Sequence, residues 1–360
     1  KKFKMVNYKK YLREDINNFK EYFIDNPENM IKLDAMEYPV DKSLRDVIKS
    51  LNINEKEILL NRYPESHSQE LEKIILDYFG LNSNFGVNFG NGSDELIQNI
   101  CLAFSKKGNN VMVPSPSFSM YEKIISTVNL KYIPEYLNED FDIKIDQMIK
   151  NISKYKPAII FLACPNNPTS NLWDKDKIIQ IIESSESIVV IDEAYVDFCE
   201  SSYIDLIEKY ENLVILRTFS KIGFAGLRLG FMISNKEISS IINKIRLPFN
   251  INTVSLKIII NIFENFSIIK KNCQNIINLR EKLYSDLSDL RNIKVLKSST
   301  NFLIFKTLNK SSDEIYKLLK DSNILIKNLN NNSNLKNFLR VTVGTEEENN
   351  SFVSTLSKYL

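Results

Sequence analysis

The sequence predicts an α/β protein in which a central, mostly parallel sheet is buried on both faces and a smaller α+β domain follows. Two observations carry this expectation. Short continuous apolar runs, Ala158–Ala163, Ile188–Ile191 and Leu213–Arg217, read as strands covered on both faces, since a strand with one wet face would alternate. Amphipathic stretches with helical spacing lie between them, which is the order of a layered α/β sheet.

The elements follow in order. Residues 1–50 are polar, with a helical patch near Tyr8–Phe23 and an extended run Met30–Pro39. Leu71–Phe79 has helical periodicity and ends at Gly80, a suitable C-cap. Ser93 and Asp94 offer N-cap chemistry for a helix reaching about Lys106. Strand Asn110–Val113, a helix near Phe118–Ser126, and strands Leu130–Pro134 and Ala158–Ala163 come next, then helix Asp174–Ser184, strand Ile188–Ile191, helix Ile204–Tyr210 and strand Leu213–Arg217. From Val254 to Leu290 the pattern is helical for a long stretch, and Lys294–Leu296, Phe302–Phe305 and Leu339–Val343 supply short strands, with Asn330–Asn334 as a loop. The expected division is an N-terminal arm with part of the small domain over 1–45, a large domain over 46–250 and a small C-terminal domain over 251–360.

Composition removes several classes of function. Lys and Arg number 47 against 45 Asp and Glu, a net charge of +2, which leaves no electrostatic footprint for nucleic acid or an acidic membrane. No apolar run approaches the ~18–20 residues of a membrane span. Lys1-Lys2-Phe3-Lys4-Met5 has charge without an apolar stretch behind it, so no secretory signal is expected and the location expected is cytoplasmic. The four cysteines are scattered, and His67 is the single histidine. That excludes a disulfide framework, a zinc ribbon and an H-E-x-x-H site, and no G-x-S-x-G elbow supplies a serine for His67. Chemistry must come from Lys, Asp, Tyr and Arg, or from a cofactor. Only nine glycines occur, and two clusters, Gly86/Gly90/Gly92 and Gly223/Gly226/Gly230, mark places where the backbone needs positive φ or close approach to a ligand.

Four polar signatures follow strands directly: Pro114–Phe118, Cys164–Thr169, Asp192–Tyr195 and Thr218–Lys221. Ligands of such sheets bind beyond the carboxyl ends of the strands, so the four point to one crevice. A cofactor with an aldehyde, a pyridine ring and a phosphate needs a lysine to condense with the aldehyde and an acid to keep the ring nitrogen protonated. Lys221 and Asp192 suit those roles. Opposite charges in contact are worth roughly 4 kcal/mol at an effective dielectric near 20. Tyr195 and Asn167 could bond the ring oxygen. Gly92-Ser93-Asp94 offers N–H donors at a helix start for the phosphate, with Ser220 and Arg228 beside Lys221. Each has a plainer reading: Asp192 as a helix cap, Lys221 as a surface lysine, Arg228 and Arg340 as surface ion pairs, Phe118 and Tyr121 as core. Those readings would all have to hold together, in order, at strand ends.

Asn61-Arg62-Tyr63-Pro64, Gly90-Asn91-Gly92-Ser93-Asp94-Glu95, Pro116–Tyr121, Pro165-Asn166-Asn167-Pro168-Thr169, Asp192-Glu193-Ala194-Tyr195, Arg217–Lys221, Gly226–Gly230, Pro248-Phe249-Asn250 and Leu339–Gly344 together resemble the pyridoxal-phosphate (PLP) aminotransferases of fold type I. More narrowly they resemble histidinol-phosphate aminotransferases. The resemblance runs from about Ile31 to the C-terminus. It implies a PLP-binding large domain, Phe118 stacked on the pyridine ring, and Tyr63 reaching the cofactor phosphate and substrate of a neighbouring subunit, hence a homodimer. Arg340 would grip the carboxylate of glutamate and the phosphate of histidinol phosphate, and Lys221 would move the Cα proton. The reaction implied is exchange of the amino group between L-histidinol phosphate and 2-oxoglutarate, giving imidazole acetol phosphate and L-glutamate, a step of histidine biosynthesis. Alternatives of similar fold are an aromatic amino-acid aminotransferase and a phosphothreonine decarboxylase; a PLP-binding transcriptional sensor, which carries a winged-helix extension, is not expected. Three departures from the family pattern stand out: Tyr38 within Glu37-Tyr38-Pro39 where many members have Asn, Ser170 in place of Gly, and a Lys221-to-Arg228 interval of seven residues, one shorter than in many members.

Overall fold

The computed structural model describes residues 8–19, 21, 29–51 and 58–360. They fall into two compact units, residues 1–30 and residues 31–360. In the first, the expected helical patch is two short 3-10 turns, Tyr8–Tyr11 and Glu14–Asn18, and its further residues 20, 22 and 23 lie outside the described ones.

Within the second unit the strands are β1 (Ile31–Lys32), β2 (Phe85–Asn91), β3 (Asn110–Ser115), β4 (Lys131–Tyr136), β5 (Ile159–Ala163), β6 (Ile188–Asp192), β7 (Leu213–Thr218) and β8 (Leu229–Asn235). They continue with β9 (Ile293–Val295), β10 (Phe302–Thr307), β11 (Ile324–Leu325), β12 (Lys327–Asn328) and β13 (Phe338–Thr342). Seven form one sheet in the order β2-β8-β7-β6-β5-β3-β4. β8 runs antiparallel to both β2 and β7, and the pairs among β7, β6, β5, β3 and β4 are parallel. Every strand but β8 therefore points the same way.

The central strands show why no polar face exists. Ile160, Leu162, Val189, Ile191, Leu213 and Ile215 enter one core, and Ile159, Phe161, Ala163, Val190, Val214 and Leu216 enter the other. Successive side chains point to opposite faces, so a strand covered twice must be apolar at every position. Helices Ser93–Ala103, Ser119–Thr127 and Lys236–Ile245 cover one face through Ile97, Ile124 and Ile242. Helices Gln69–Phe79, Ile145–Tyr155 and Lys175–Glu183 bring Ile75, Ile152 and Ile181 to the other. Among the described residues, no helix is long and apolar enough to cross a membrane.

The C-terminal elements form an antiparallel sheet, β12-β13-β10-β9, while β1 pairs in parallel with β11. The long helical stretch is two helices, Thr253–Glu264 and Phe266–Ser288, separated at Asn265. The last helix, Glu346–Ser357, opens with a capping box between Thr345 and Glu348.

Three expectations need correction. The helix after β2 is capped by Gly92, with no side-chain cap bond, and starts at Ser93; Ser93 and Asp94 lie inside it because the chain turns one residue earlier, at positive φ. Ile204–Tyr210 holds a single 3-10 turn, Ile204–Leu206, with turn-type backbone bonds from Ile207, Lys209 and Tyr210 in place of a continuous α-helical ladder. It is anchored at its start by Tyr203 N–H donating to Glu193 at 2.6 Å. β2 and β8, with helix Lys236–Ile245, were not anticipated. Phe85-Gly86-Val87-Asn88-Phe89-Gly90-Asn91 is poor strand sequence by propensity, yet Gly86 is needed there because a Cβ would lie 2.4 Å from Ser239 Oγ on the covering helix.

Beneath the sheet edge, Arg217 Nη2 lies 2.6 Å from Glu193 Oε2, and the Glu193 side chain is wholly buried. The guanidinium also stacks 4.6 Å over the Phe79 ring. Removing one member of a buried pair leaves an uncompensated charge, which costs about 3–5 kcal/mol. Arg217→Leu should lower unfolding free energy by that amount in urea titration; a loss below about 1 kcal/mol would mean that Tyr203 N–H and Ser202 alone satisfy the carboxylate.

Candidate active site

Strand direction gathers the site. β3, β5, β6 and β7 end on one edge, delivering Phe118, Asn167, Asp192 and the Ser220–Ile222 turn. β2 ends there too, at the start of helix Ser93–Ala103. Because β8 runs the other way, it begins at this edge and brings Arg228 with it.

Asp192 closes the floor. Its Oδ1 accepts from Ala194 N–H at 3.0 Å, and its Oδ2 accepts from the Tyr121 hydroxyl at 2.6 Å. The residue is 5% exposed. Burial pushes its carboxyl up to about 6, opposed by the Tyr121 and Ala194 hydrogen bonds. Above it, Phe118 meets Tyr121 edge-on at 5.5 Å between ring centroids. Asn167 Nδ2 donates to Tyr195 Oη at 3.1 Å, and its Oδ1 accepts from Arg340 Nη1 at 2.7 Å. Arg340 projects from β13, donates through Nη2 to the Asp34 carbonyl at 2.9 Å and lies 5.3 Å over the Phe302 ring.

Lys221 stands in the turn after β7, its Nζ 5.7 Å from the centre of the Tyr195 ring. Desolvation, then the positive field of Arg340, pushes its ammonium down to about 8, against the opposing pull of Asp94 and Glu37. At the far end, Arg228 Nη2 is 3.9 Å from Asp94 Oδ2, and burial raises the Asp94 carboxyl. Gly92 has φ +80°, and a Cβ on it would lie 2.6 Å from Arg228 Nη2; a Cβ on Gly230 would lie 2.6 Å from Ser93 N. Both positions require glycine, and the close approach they permit is of protein to protein. Thr218 Oγ1 donates to Ser220 Oγ at 2.9 Å, fixing that hydroxyl.

Gly92, Ser93, Asp94, Phe118, Asn167, Asp192, Tyr195, Ser220, Lys221 and Arg228 thus surround one cavity of about 190 Å³. Arg340 reaches it through Asn167. Tyr63 does not line it: the residue is 82% exposed and stacks on Phe249 at 4.8 Å. Sequence reasoning missed Glu37, which faces the cavity and pairs with Lys32 at 2.6 Å, and the bond from Tyr121 to Asp192. No spacing signal could have found the second, since the two residues lie 71 apart in sequence. Tyr38 is buried, its hydroxyl donating to the Asn272 carbonyl at 3.3 Å. Ser170 adopts φ +65°, the left-handed conformation for which Gly is the easier residue.

The donor set fits pyridoxal phosphate. A lysine depressed toward neutrality, a buried acid in line with an aromatic shelf, and a helix start beside an arginine match its aldehyde, ring and phosphate ends. Among the described residues no cluster could hold a metal ion.

Asp192 also bears on stability. Its folded-state value lies above that of an exposed aspartate, so the folded protein binds the extra proton between about pH 4 and pH 6, and stability falls as pH rises through that window. Asp192→Asn should leave the cofactor-free protein equally stable near pH 4 and about 1–3 kcal/mol more stable at pH 7–8. Thermal melts across pH test this, and a difference that ignores pH would refute it.

The family of class I and II aminotransferases matches residues 28–356. The histidinol-phosphate aminotransferase of Vesicomyosocius okutanii is 40% identical over 356 residues, spanning 97% of this chain and 98% of that protein. That of Caldanaerobacter subterraneus subsp. tengcongensis is 36% identical, over 97% and 98% of the two chains. The crystal structure of the Clostridium acetobutylicum histidinol-phosphate aminotransferase superposes with a TM-score of 0.80 at 26% identity, covering 91% of this chain and 98% of the other. The chain belongs to the class I and II aminotransferases, with the architecture of PLP-dependent fold type I and full-length relatives that are histidinol-phosphate aminotransferases.

Proposed function

We propose that this protein is a histidinol-phosphate aminotransferase: with pyridoxal 5′-phosphate as cofactor it exchanges an amino group between L-histidinol phosphate and 2-oxoglutarate, within histidine biosynthesis. The observation that carries the chemistry is one cavity holding both Lys221, pushed down to about 8, and buried Asp192, pushed up to about 6. Support for the donor comes from the full-length relatives, 34–40% identical over at least 96% of this chain. A phosphothreonine decarboxylase shares the fold at 21% identity, which supports the architecture alone.

Bound pyridoxal phosphate supplies an electron sink for the pair left at the substrate's Cα. Lys221 would hold its aldehyde carbon, Asp192 its ring nitrogen, Phe118 its ring face, and Tyr195 with Asn167 its ring oxygen. Gly92, Ser93, Asp94, Ser220 and Arg228 would hold the phosphate, through backbone N–H groups, a hydroxyl and a guanidinium. Once the incoming substrate amine has replaced it at the aldehyde carbon, Lys221 in its neutral form would take the Cα proton. Desolvation and the field of Arg340, which push its ammonium down to about 8, favour that neutral form. Arg340 presents a planar fork that pairs two oxygens of a carboxylate or a phosphate, so one residue serves both half-reactions. Its bond to Asn167 ties that fork to the Tyr195 hydroxyl.

The protein is a cytoplasmic homodimer in this reading. Its four cysteines are free, which suits a reducing compartment. Leu60, Tyr63 and Leu247 are 80%, 82% and 73% exposed. Their segments meet through the Tyr63–Phe249 stack and an Arg246 bond to the Ser66 carbonyl at 2.5 Å. An exposed apolar patch of this kind suits a second copy, which would then offer Tyr63 to its partner's cavity.

Purified PLP-loaded protein given histidinol phosphate without 2-oxoglutarate should release imidazole acetol phosphate in one equivalent per site, and glutamate should form once 2-oxoglutarate is added. No keto product, with CO₂ released from phosphothreonine instead, would transfer the protein to the decarboxylases. For the shared site, Tyr63→Ala and Lys221→Ala should each cripple activity as homodimers, most completely for Lys221→Ala. Remixing the two subunits should restore up to about a quarter of wild-type activity, because half the dimers are mixed and each regains one intact site. Without recovery despite subunit exchange, Tyr63 does not act across subunits.

A further inference from the structure

We infer that Tyr121 is a positioning residue for the Asp192 carboxylate: its buried hydroxyl, 2.6 Å from Oδ2, holds the acid in its charged form and in the orientation that serves the cofactor ring. The inference rests on the reading of Asp192 as the ring-nitrogen partner.

Three observations separate this from ordinary core packing. The Tyr121 ring is clamped between two aromatic neighbours, stacked on Phe161 at 4.9 Å and 15°, and edge-on to Phe118 at 5.5 Å and 90°. Its hydroxyl therefore has one place to point. That place is an acid with few other partners: Oδ1 has the Ala194 N–H, and Tyr121 is the side-chain hydrogen bond to Oδ2. Burial also raises the Tyr121 phenol well above its usual range, as does the Asp192 charge, so the hydroxyl remains a donor at any working pH. The same ring supports Phe118, the proposed shelf for the pyridine, so one side chain sets the positions of both groups.

The groups facing Asp192 come from each neighbouring element. Tyr121 stands on helix Ser119–Thr127, Asp94 on helix Ser93–Ala103, Lys221 in the turn after β7 and Tyr195 in the segment after β6. Asp94 disfavours the Asp192 charge and Lys221 favours it, but both act at a distance; the Tyr121 bond and the Ala194 N–H act at contact and oppose desolvation directly. A hydrogen bond to a charged acceptor holds the acid's titration down by about one to two pH units.

Tyr121→Phe keeps the ring and removes the donor. In the cofactor-free protein, the Asp192 titration, read from the pH dependence of unfolding and from the ¹³C carboxyl signal that Asp192→Asn deletes, should move up by about one to two pH units. PLP affinity should weaken in parallel, with the variant's loss growing about three- to 25-fold between pH 9 and pH 6.5. In an Asp192→Asn background, Tyr121→Phe should produce no pH-dependent change. An unmoved titration, or a loss of stability and PLP affinity that is the same at every pH and persists in the Asp192→Asn background, would reduce Tyr121 to packing. If the Phe variant folds poorly, the hydroxyl proton of the wild-type protein decides alone: a Tyr121 donor requires a downfield Tyr proton that Asp192→Asn removes, and its absence overturns the proposal. Failure to bind PLP at all, with the apoprotein titration behaving as expected, would count against the proposed function and leave the Tyr121–Asp192 coupling standing.

Discussion

Asp192 is a charge-bearing group at the end of a strand whose preceding residues are all apolar, and the surrounding architecture follows from keeping it there. Val189, Val190 and Ile191 are fully buried between two helical layers. The carboxylate that follows them is 5% exposed, and its hydrogen bonds come from the protein, through Ala194 and Tyr121. A parallel sheet delivers several such strand ends to one edge, so the acid, the amide of Asn167 and the lysine after β7 share a cavity without any long loop having to close over it.

The site is held away from the most stable arrangement of its own charges. Burial works against the ionised forms of both Asp192 and Lys221, raising one and lowering the other. That same opposition brings both groups toward neutral pH, the range in which a side chain exchanges protons most readily. Two large apolar cores and the buried Arg217–Glu193 pair beneath the sheet edge hold the backbone in place while the site carries these costs. Glu193 and Asp192 are adjacent in sequence yet face opposite layers: one anchors the following loop through Tyr203 and Ser202, and the other faces the cavity.

Arg340 links the C-terminal sheet to that edge. It sits in the middle strand pair of β13 and β10, opposite Ile304, and its guanidinium spans from the Asp34 carbonyl to Asn167. Segment 34–37 thus holds Arg340 through the Asp34 carbonyl and lines the cavity through Ala35 and Glu37. Arg340, Asn167 and Tyr195 are thereby joined in one line of hydrogen bonds.

Much of this was legible in the linear sequence because it depends on local chemistry. Continuous apolar runs specify strands buried twice, and a polar string directly after each run specifies what lies at the sheet edge. Lys221, Asp192, Tyr195, Asn167 and Phe118 could be singled out on those grounds. Other features had no local signal. β2 and β8 contain Gly and Asn where propensity opposes a strand, and only the close approach of helices, as Ser239 to Gly86, makes those residues necessary. The reversed direction of β8, which returns Arg228 to the cavity, is a property of pairing and cannot be read from spacing. The bond from Tyr121 to Asp192 joins residues 71 apart in sequence. Sequence alone determined which groups were available to do chemistry, because residue type sets what can titrate, donate or bond covalently. Tertiary structure decided which of them meet, how far burial shifts them, and that Tyr63 stays outside its own cavity, because distance and desolvation exist only after the chain has packed.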